Sequence, residues 1–292
     1  MDRANNYSIL SAIRTKSKRN LMNRLGLRSL IHFLLVAVLG LAYANSAAAQ
    51  TAPNLGSTSS FGVVASTFTN TNAATVINGN VCFTTGPATA YTLNGTQTVP
   101  CSAQAGQDQN SALATLNGQS CTSIGAGVVT LDTVVVGPNP AGTIPPGCYS
   151  SGGAMNVSNL ATVTLSGSGV YIFRPNGPLG IGTSSTIRLT NGATAANVYW
   201  APSQATTLGA SAAFVGTDID AAGISLGHLA SISGRALAYG GTITADANSI
   251  TVPGNTAAST VPSLSGWAMI ALVALFGGIG CVIIGRRFAI EY

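Results

Sequence analysis

From Val128 onward the chain is a series of short apolar-rich segments separated by Gly, Asn and Pro: VVTLDTVVV, ATVTLSG, GVYIFRP, STIRLTNG, NVYWAP, AAFVG, GISLG, ASISG, RALAYGG, TITA and NSITVP. Within them Val, Ile and Leu alternate with Ser and Thr, the period of a strand with one face buried. Strands this short, repeated in close succession, predict the successive coils of a β-solenoid. A jelly roll, the competing architecture, calls for longer strands and more aromatic residues. Leu55 to Cys82 reads as coil and short strands. Between these regions the period changes over Asp108 to Asn117 (DQNSALATLN), where Ala112, Leu113 and Leu116 share one side and Gly118 follows as a C′ stop. The expected fold class is mainly β, with a helical insertion at about 102–118 inside a domain spanning 50–254.

Both ends depart from this pattern. Residues 1–29 are basic, Leu30 to Tyr43 form an apolar run, and Ala47-Ala48-Ala49 offers a small-residue cleavage site. This is the layout of a signal peptide over 1–49, with Gln50 as the mature N-terminus and Met22 as an alternative start. Trp267 to Ile284 is uncharged over 18 residues. As a helix it reaches about 27 Å, enough for a bilayer core. Arg286-Arg287 then places the tail, 286–292, in the cytoplasm, and the expected anchor covers 267–285. A linker with a sorting motif occupies 255–266. Here Val261-Pro262-Ser263-Leu264-Ser265-Gly266-Trp267 resembles the IPTL-CTERM sorting signal of bacterial exported proteins. Pro262, Leu264, Ser265 and Trp267 match it, and Gly266 stands where that signal has Glu. The resemblance implies retention at an envelope membrane, or trimming there by a sorting peptidase.

Charge narrows the function. Charged residues are 7% of the chain, against about 25% in an average soluble protein. Nine of the twelve basic residues lie in the terminal segments. The ectodomain keeps Arg174, Arg188 and Arg235 against Asp108, Asp132, Asp218, Asp220 and Asp246, with no Lys or Glu. A basic stripe that would track phosphates is missing, so a nucleic-acid partner is not expected. Cys82, Cys101, Cys121 and Cys148 lie in the exported part, where two disulfides with three possible pairings are expected. They contain no C-x-x-C, and His228, the sole ectodomain histidine, is distant in sequence, so no metal site is expected.

Particular residues carry a more specific resemblance. Leu55 to Ala65, Val76 to Asn80, Ile144 to Tyr149, Val170 to Phe173, Asn197 to Trp200, Thr207 to Gly209, Phe214 to Gly216 and Gly234 to Ala238 follow in the order found in the bacterial and fungal ice-binding protein family with the discontinuous β-solenoid fold. The resemblance covers about 55–253. It implies a right-handed triangular solenoid with one helix alongside, a non-enzymatic role, no cofactor, and an ice surface as partner. Ice binding in that family depends on a flat face of short outward side chains, often Thr, repeated from coil to coil. Family coils often read Leu-x-Thr-(Ala/Gly/Asn)-x-(Thr/Ser). The corresponding stretches begin at Leu179, Leu208 and Leu226, which places Ile181, Ala210, His228 and Ala247 in one column and Ser184, Ala213 and Ser231 in the next, with Thr183 beside them. The alternative to ice contact is a surface adhesin or envelope structural module on the same scaffold.

Enzymatic readings find little support. Asp218-Ile219-Asp220 places two carboxylates at i and i+2, the pairing a glycosidase needs, but it is expected to be a solvated turn after Phe214-Val215-Gly216-Thr217. No nucleophile motif accompanies His228, which is expected to be exposed or at an edge. No Gly-rich phosphate loop opens a helix, so no nucleotide site is expected.

Overall fold

The computed structural model describes residues 50–254. The expected signal peptide, sorting motif and anchor lie outside them. Among the described residues no helix is long and apolar enough to cross a membrane.

The alternating segments form parallel strands stacked into three faces of a solenoid. The first face runs Thr122–Gly125, Gly147–Ser151, Tyr171–Pro175, Val198–Trp200, 217–219, 235–237, 63–65, Asn80–Cys82 and Gln97–Thr98. The second runs Val129–Thr130, Met155–Val157, Leu179–Ile181, Thr206–Leu208, Ile224–Leu226, 243–245 and 68–70. The third runs Thr143–Ile144, Thr162–Ser166, Thr186–Thr190, 213–215, 231–233, Ser249–Thr251, Val76–Asn78 and Thr92–Asn94. The stacking is not in chain order. The N-terminal rungs pair with the last ones, Val64 opposite Leu237 and Val76 opposite Ser249. After Gln97–Thr98 the chain must therefore return along the stack before the run 122–251 can descend onto those rungs.

The helix Ala103–Asn117 lies on that return path. Ser102 caps it by accepting from the Ala105 amide at 3.3 Å, which satisfies one of the free amides of the first turn. Ala105, Ala112 and Leu116 pack on Val64, Cys82, Cys148, Ile172, Tyr199, Ile219 and Leu237. These are the outward side chains of the first face, so its strands are buried on both sides and read as unbroken apolar runs such as YIF and VYW. At Gly106 a Cβ would sit 2.4 Å from the Tyr239 ring, so only glycine lets the helix approach this closely. Gly118 ends the helix at φ −77°, in the right-handed region rather than the left-handed C′ conformation expected of it.

Inside the solenoid, rings climb the stack: Tyr149 to Phe173 at 5.7 Å, Phe173 to Trp200 at 4.2 Å and Trp200 to Phe214 at 5.4 Å. Trp200 donates to the Val215 carbonyl at 2.9 Å, so its one polar atom is satisfied. Disulfides join Cys82 to Cys101 and Cys121 to Cys148. One ties the N-terminal rungs to the approach to the helix, and the other ties the segment leaving the helix to the rungs that follow.

Candidate functional site

The helix covers the first face, leaving the second and third for contact. Their shared corner is the most regular part of the surface. There the backbone stacks from coil to coil: the Leu160 amide donates to the Thr183 carbonyl, Ser184 to Ala210, Ser211 to His228 and Leu229 to Asp246, at 2.8–3.1 Å. Asn159, Thr183, Ala210, His228 and Asp246 thus occupy one column. The next residue in each coil turns the corner in the left-handed region: Leu160 at φ 61°, Ser184 at 54°, Ser211 at 56°, Leu229 at 60° and Ala247 at 55°. Ser185, Ala212 and Ala230 then point inward. Beyond them Thr162, Thr186, Ala213, Ser231, Ser249, Val76 and Thr92 pair in register along the third face. Strand stacking spaces such a column at about 4.8 Å per rung.

This register relocates several expected residues. The coil reading matched Leu179 with Leu208. In the structure Leu179 pairs with Thr206, and Ile181 with Leu208. The slip is two residues, which keeps the inward and outward alternation and moves every position along the coil. Ile181 consequently lies in the core at 3% exposure and presents nothing to solvent. Thr183 joins Ala210 and His228 in its place. Ser184 and Ala247 are corner residues, and Thr186 takes the place read for Ser184 beside Ala213 and Ser231. Thr183 and Thr186 together give one coil the Thr-x-x-Thr spacing. The last coil turns the corner one residue sooner than its neighbour, between Ala245 and Ser249, which aligns Asp246 rather than Ala247 with His228.

Two features interrupt the surface. His228 Nδ1 lies 3.1 Å from the Asp246 carboxylate at its lower end. On the second face the outward column Thr130, Asn156, Gly180, Thr207, Ser225, Thr244 and Thr69 contains a glycine. A hollow of about 430 Å³ is lined there by Asn156, Gly180, Gly182, Thr183, Thr207 and Gly209.

The paired aspartates are not a solvated turn. Asp218 and Asp220 are 1% and 0% exposed, because 217–219 form a rung of the first face and Asp218 points inward. Burial, and then the Asp220 charge, raise the Asp218 carboxyl well above its ordinary range. Burial also raises Asp220, opposed by the Ala222 amide, which donates to its Oδ1 at 2.8 Å. The Thr206 hydroxyl lies against both carboxylates and offsets part of the rise, without hydrogen-bond geometry to either. Sequence alternation was the signal that could have placed Asp218 inward, since Ile219 beside it belongs to the helix-covered side. Arg235, also buried, donates to the Ser59 carbonyl at 2.8 Å and to Thr217 Oγ1 at 3.3 Å on the outward side of the rung. Among the described residues no three His, Cys, Asp or Glu side chains cluster as metal ligands.

These features define a class: a disulfide-stapled parallel β-solenoid presenting low-charge, hydroxyl- and methyl-bearing columns. The model of the Ice-binding-like family matches residues 42–251, and the chain belongs to that family. A model of the IPTL-CTERM motif matches residues 260–288. The chain is 33% identical to an ice-binding protein of Flavobacterium frigoris over 111 residues, 38% of this chain and 40% of that protein. It is 28% identical over 202 residues to an ice-binding protein of Typhula ishikariensis, 63% of this chain and 83% of that one. The match therefore spans well under half of the Flavobacterium protein and most of the Typhula one. Among solved structures, an ice-binding protein from the Antarctic ascomycete Antarctomyces psychrotrophicus superposes with TM-score 0.61 at 32% identity, covering 69% of this chain and 98% of that one. One from an Antarctic biological consortium gives the same TM-score at 27% identity, covering 70% and 92%.

Proposed function

We propose that this chain binds ice without catalysis, through the corner between the second and third faces. The contact surface is the column Asn159, Thr183, Ala210 and His228 together with Thr162, Thr186, Ala213, Ser231 and Ser249. The observation that carries this reading is the in-register pairing of Thr162, Thr186, Ala213, Ser231 and Ser249 beside Thr183. Methyls and hydroxyls held at strand spacing can order a water layer with the regularity of a lattice, which isolated surface threonines cannot do. Ile181, Ser184 and Ala247 take no part in the contact.

Export and retention belong to the same reading. The segment 1–49 directs export, and Pro262, Leu264, Ser265 and Trp267 mark the sorting motif ahead of the 267–285 anchor, so the solenoid is held at the envelope or released by a peptidase. The match at 260–288 supports this. Ice-recrystallisation inhibition and ice-plane adsorption of the full chain test the ice reading. Activity that Thr183→Tyr and Thr186→Tyr remove supports it, and a folded chain inactive at micromolar concentration overturns it.

The His228–Asp246 pair, with Leu160 at 80% and Leu229 at 56% exposure on the same corner, favours a second reading. On that reading the scaffold serves as an adhesin or envelope module for a polymer or another cell. Ala210→Thr with His228→Thr separates the two: activity gained only in that variant shows that the native column does not bind ice.

A further inference from the structure

At the corner between the first and second faces, four buried oxygens lie without hydrogen-bond partners. Among the described residues Asp218 Oδ1 and Oδ2, Asp220 Oδ2 and Thr206 Oγ1 have no hydrogen-bond partner. Thr206 is 1% exposed, as buried as the two aspartates. The chain brings the three together through topology. Asp218 pairs with Trp200 on the preceding rung, Thr206 opens the second-face strand that follows Trp200, and Asp220 turns the corner after the next first-face rung.

Such a set is costly unless a proton or a cation neutralises it, because carboxylates removed from water must either protonate or find a charge partner. Among the described residues neither nearby guanidinium is hydrogen-bonded to these oxygens, and Arg174 Nε is itself without a partner. Arg235 is held by the Ser59 carbonyl and Thr217 on the outward side of the rung, and Arg174 donates to the Gln119 carbonyl at 2.9 Å. We propose that Asp218, Asp220 and Thr206 form a binding site for a hard divalent cation of calcium size.

The donor set fits that class. It consists of oxygen alone, with two carboxylates to balance a divalent charge and no thiolate or imidazole to draw a softer metal. Calcium takes six to eight oxygens at about 2.3–2.6 Å and accepts water among them. A cleft of about 420 Å³ reaches Asp220 and is lined by Asn117, Ser151, Arg174, Asn176 and Ala222. The ion ties the strand Thr206–Leu208 to the rung 217–219. Because Thr207 follows Thr206 on the outer surface, the site also stiffens the second face from inside.

The test uses the full chain, first stripped with chelator. Calcium at a hundredfold excess over its Kd raises Tm by about 5–10 °C, and the isosteric Asp218→Asn, Asp220→Asn and Thr206→Val variants lose or reduce that rise. Terbium, bound as a calcium probe, shows emission sensitised by Trp200. Trp267→Phe keeps that emission, while Asp218→Asn removes it. Identical Tm values with chelator and with calcium overturn the proposal, as does terbium emission that persists in Asp218→Asn. In either case a shared proton, rather than a metal, neutralises the pair.

Discussion

At position 183 a threonine stands where a register counted from Leu179 expects an isoleucine, and the outward column beside Ala210 and His228 changes with it. The motif Leu-x-Thr occurs in the coil as Ile181-Gly182-Thr183, but Leu179-Gly180-Ile181 mimics it two residues earlier. Pattern matching cannot separate the two, since both keep Leu or Ile inward. Only the pairing of Ile181 with Leu208 does so. Thr183→Tyr and Thr186→Tyr should abolish ice adsorption while changing stability by no more than about 0.5 kcal/mol, since both sit on the outer surface. Recrystallisation assays together with thermal melts check both halves of that statement. Asp108 offers a pH test at the same scale. It accepts from the Ser57 hydroxyl, the Ser57 amide at 2.7 Å and Gln104 Nε2 at 2.8 Å, and these bonds lower its pKa. Its contribution is complete above the ordinary carboxylate pKa of about 3.9 and is lost as pH falls through the lower folded value. Asp108→Asn should therefore narrow the Tm difference between neutral and strongly acidic pH.

Among elements, the helix was the most legible because its apolar period differs from everything around it. Its first turn, AQAG, carries no stripe, and its extent follows from Ser102 as cap and from packing rather than from period. The covered first face carries a signal that the alternating pattern did not capture: runs such as VYW without alternation. What the sequence left open was the order of stacking, since rungs some 170 residues apart, such as Val64 and Leu237, pair as neighbours. Leu116 tests the contact between helix and solenoid. It is fully buried against the outward side chains of the first face, and Leu116→Ala should cost about 2–5 kcal/mol in chemical denaturation. A loss below 1 kcal/mol would show that the helix contributes little to holding the rungs.

For the whole molecule, the two disulfides bracket the helix at the points where the chain leaves and rejoins the stack. They close loops with sequence separations of 19 and 27, and each should stabilise by about 3 kcal/mol in the loop-entropy account. Reduction should therefore lower Tm. Such staples suit an oxidising compartment, in keeping with the proposed export. The spacing of the cysteines left three pairings open, and the fold selected one. The central claim is that regular columns around Thr183 and Thr186 contact ice. Adsorption of fluorescently labelled chain to a single-crystal ice hemisphere tests it most directly. The wild type should mark defined crystal planes, and Thr183→Tyr with Thr186→Tyr should leave the ice unmarked. Wild-type chain that is folded yet marks no plane, or a double variant that marks the same planes, would contradict it.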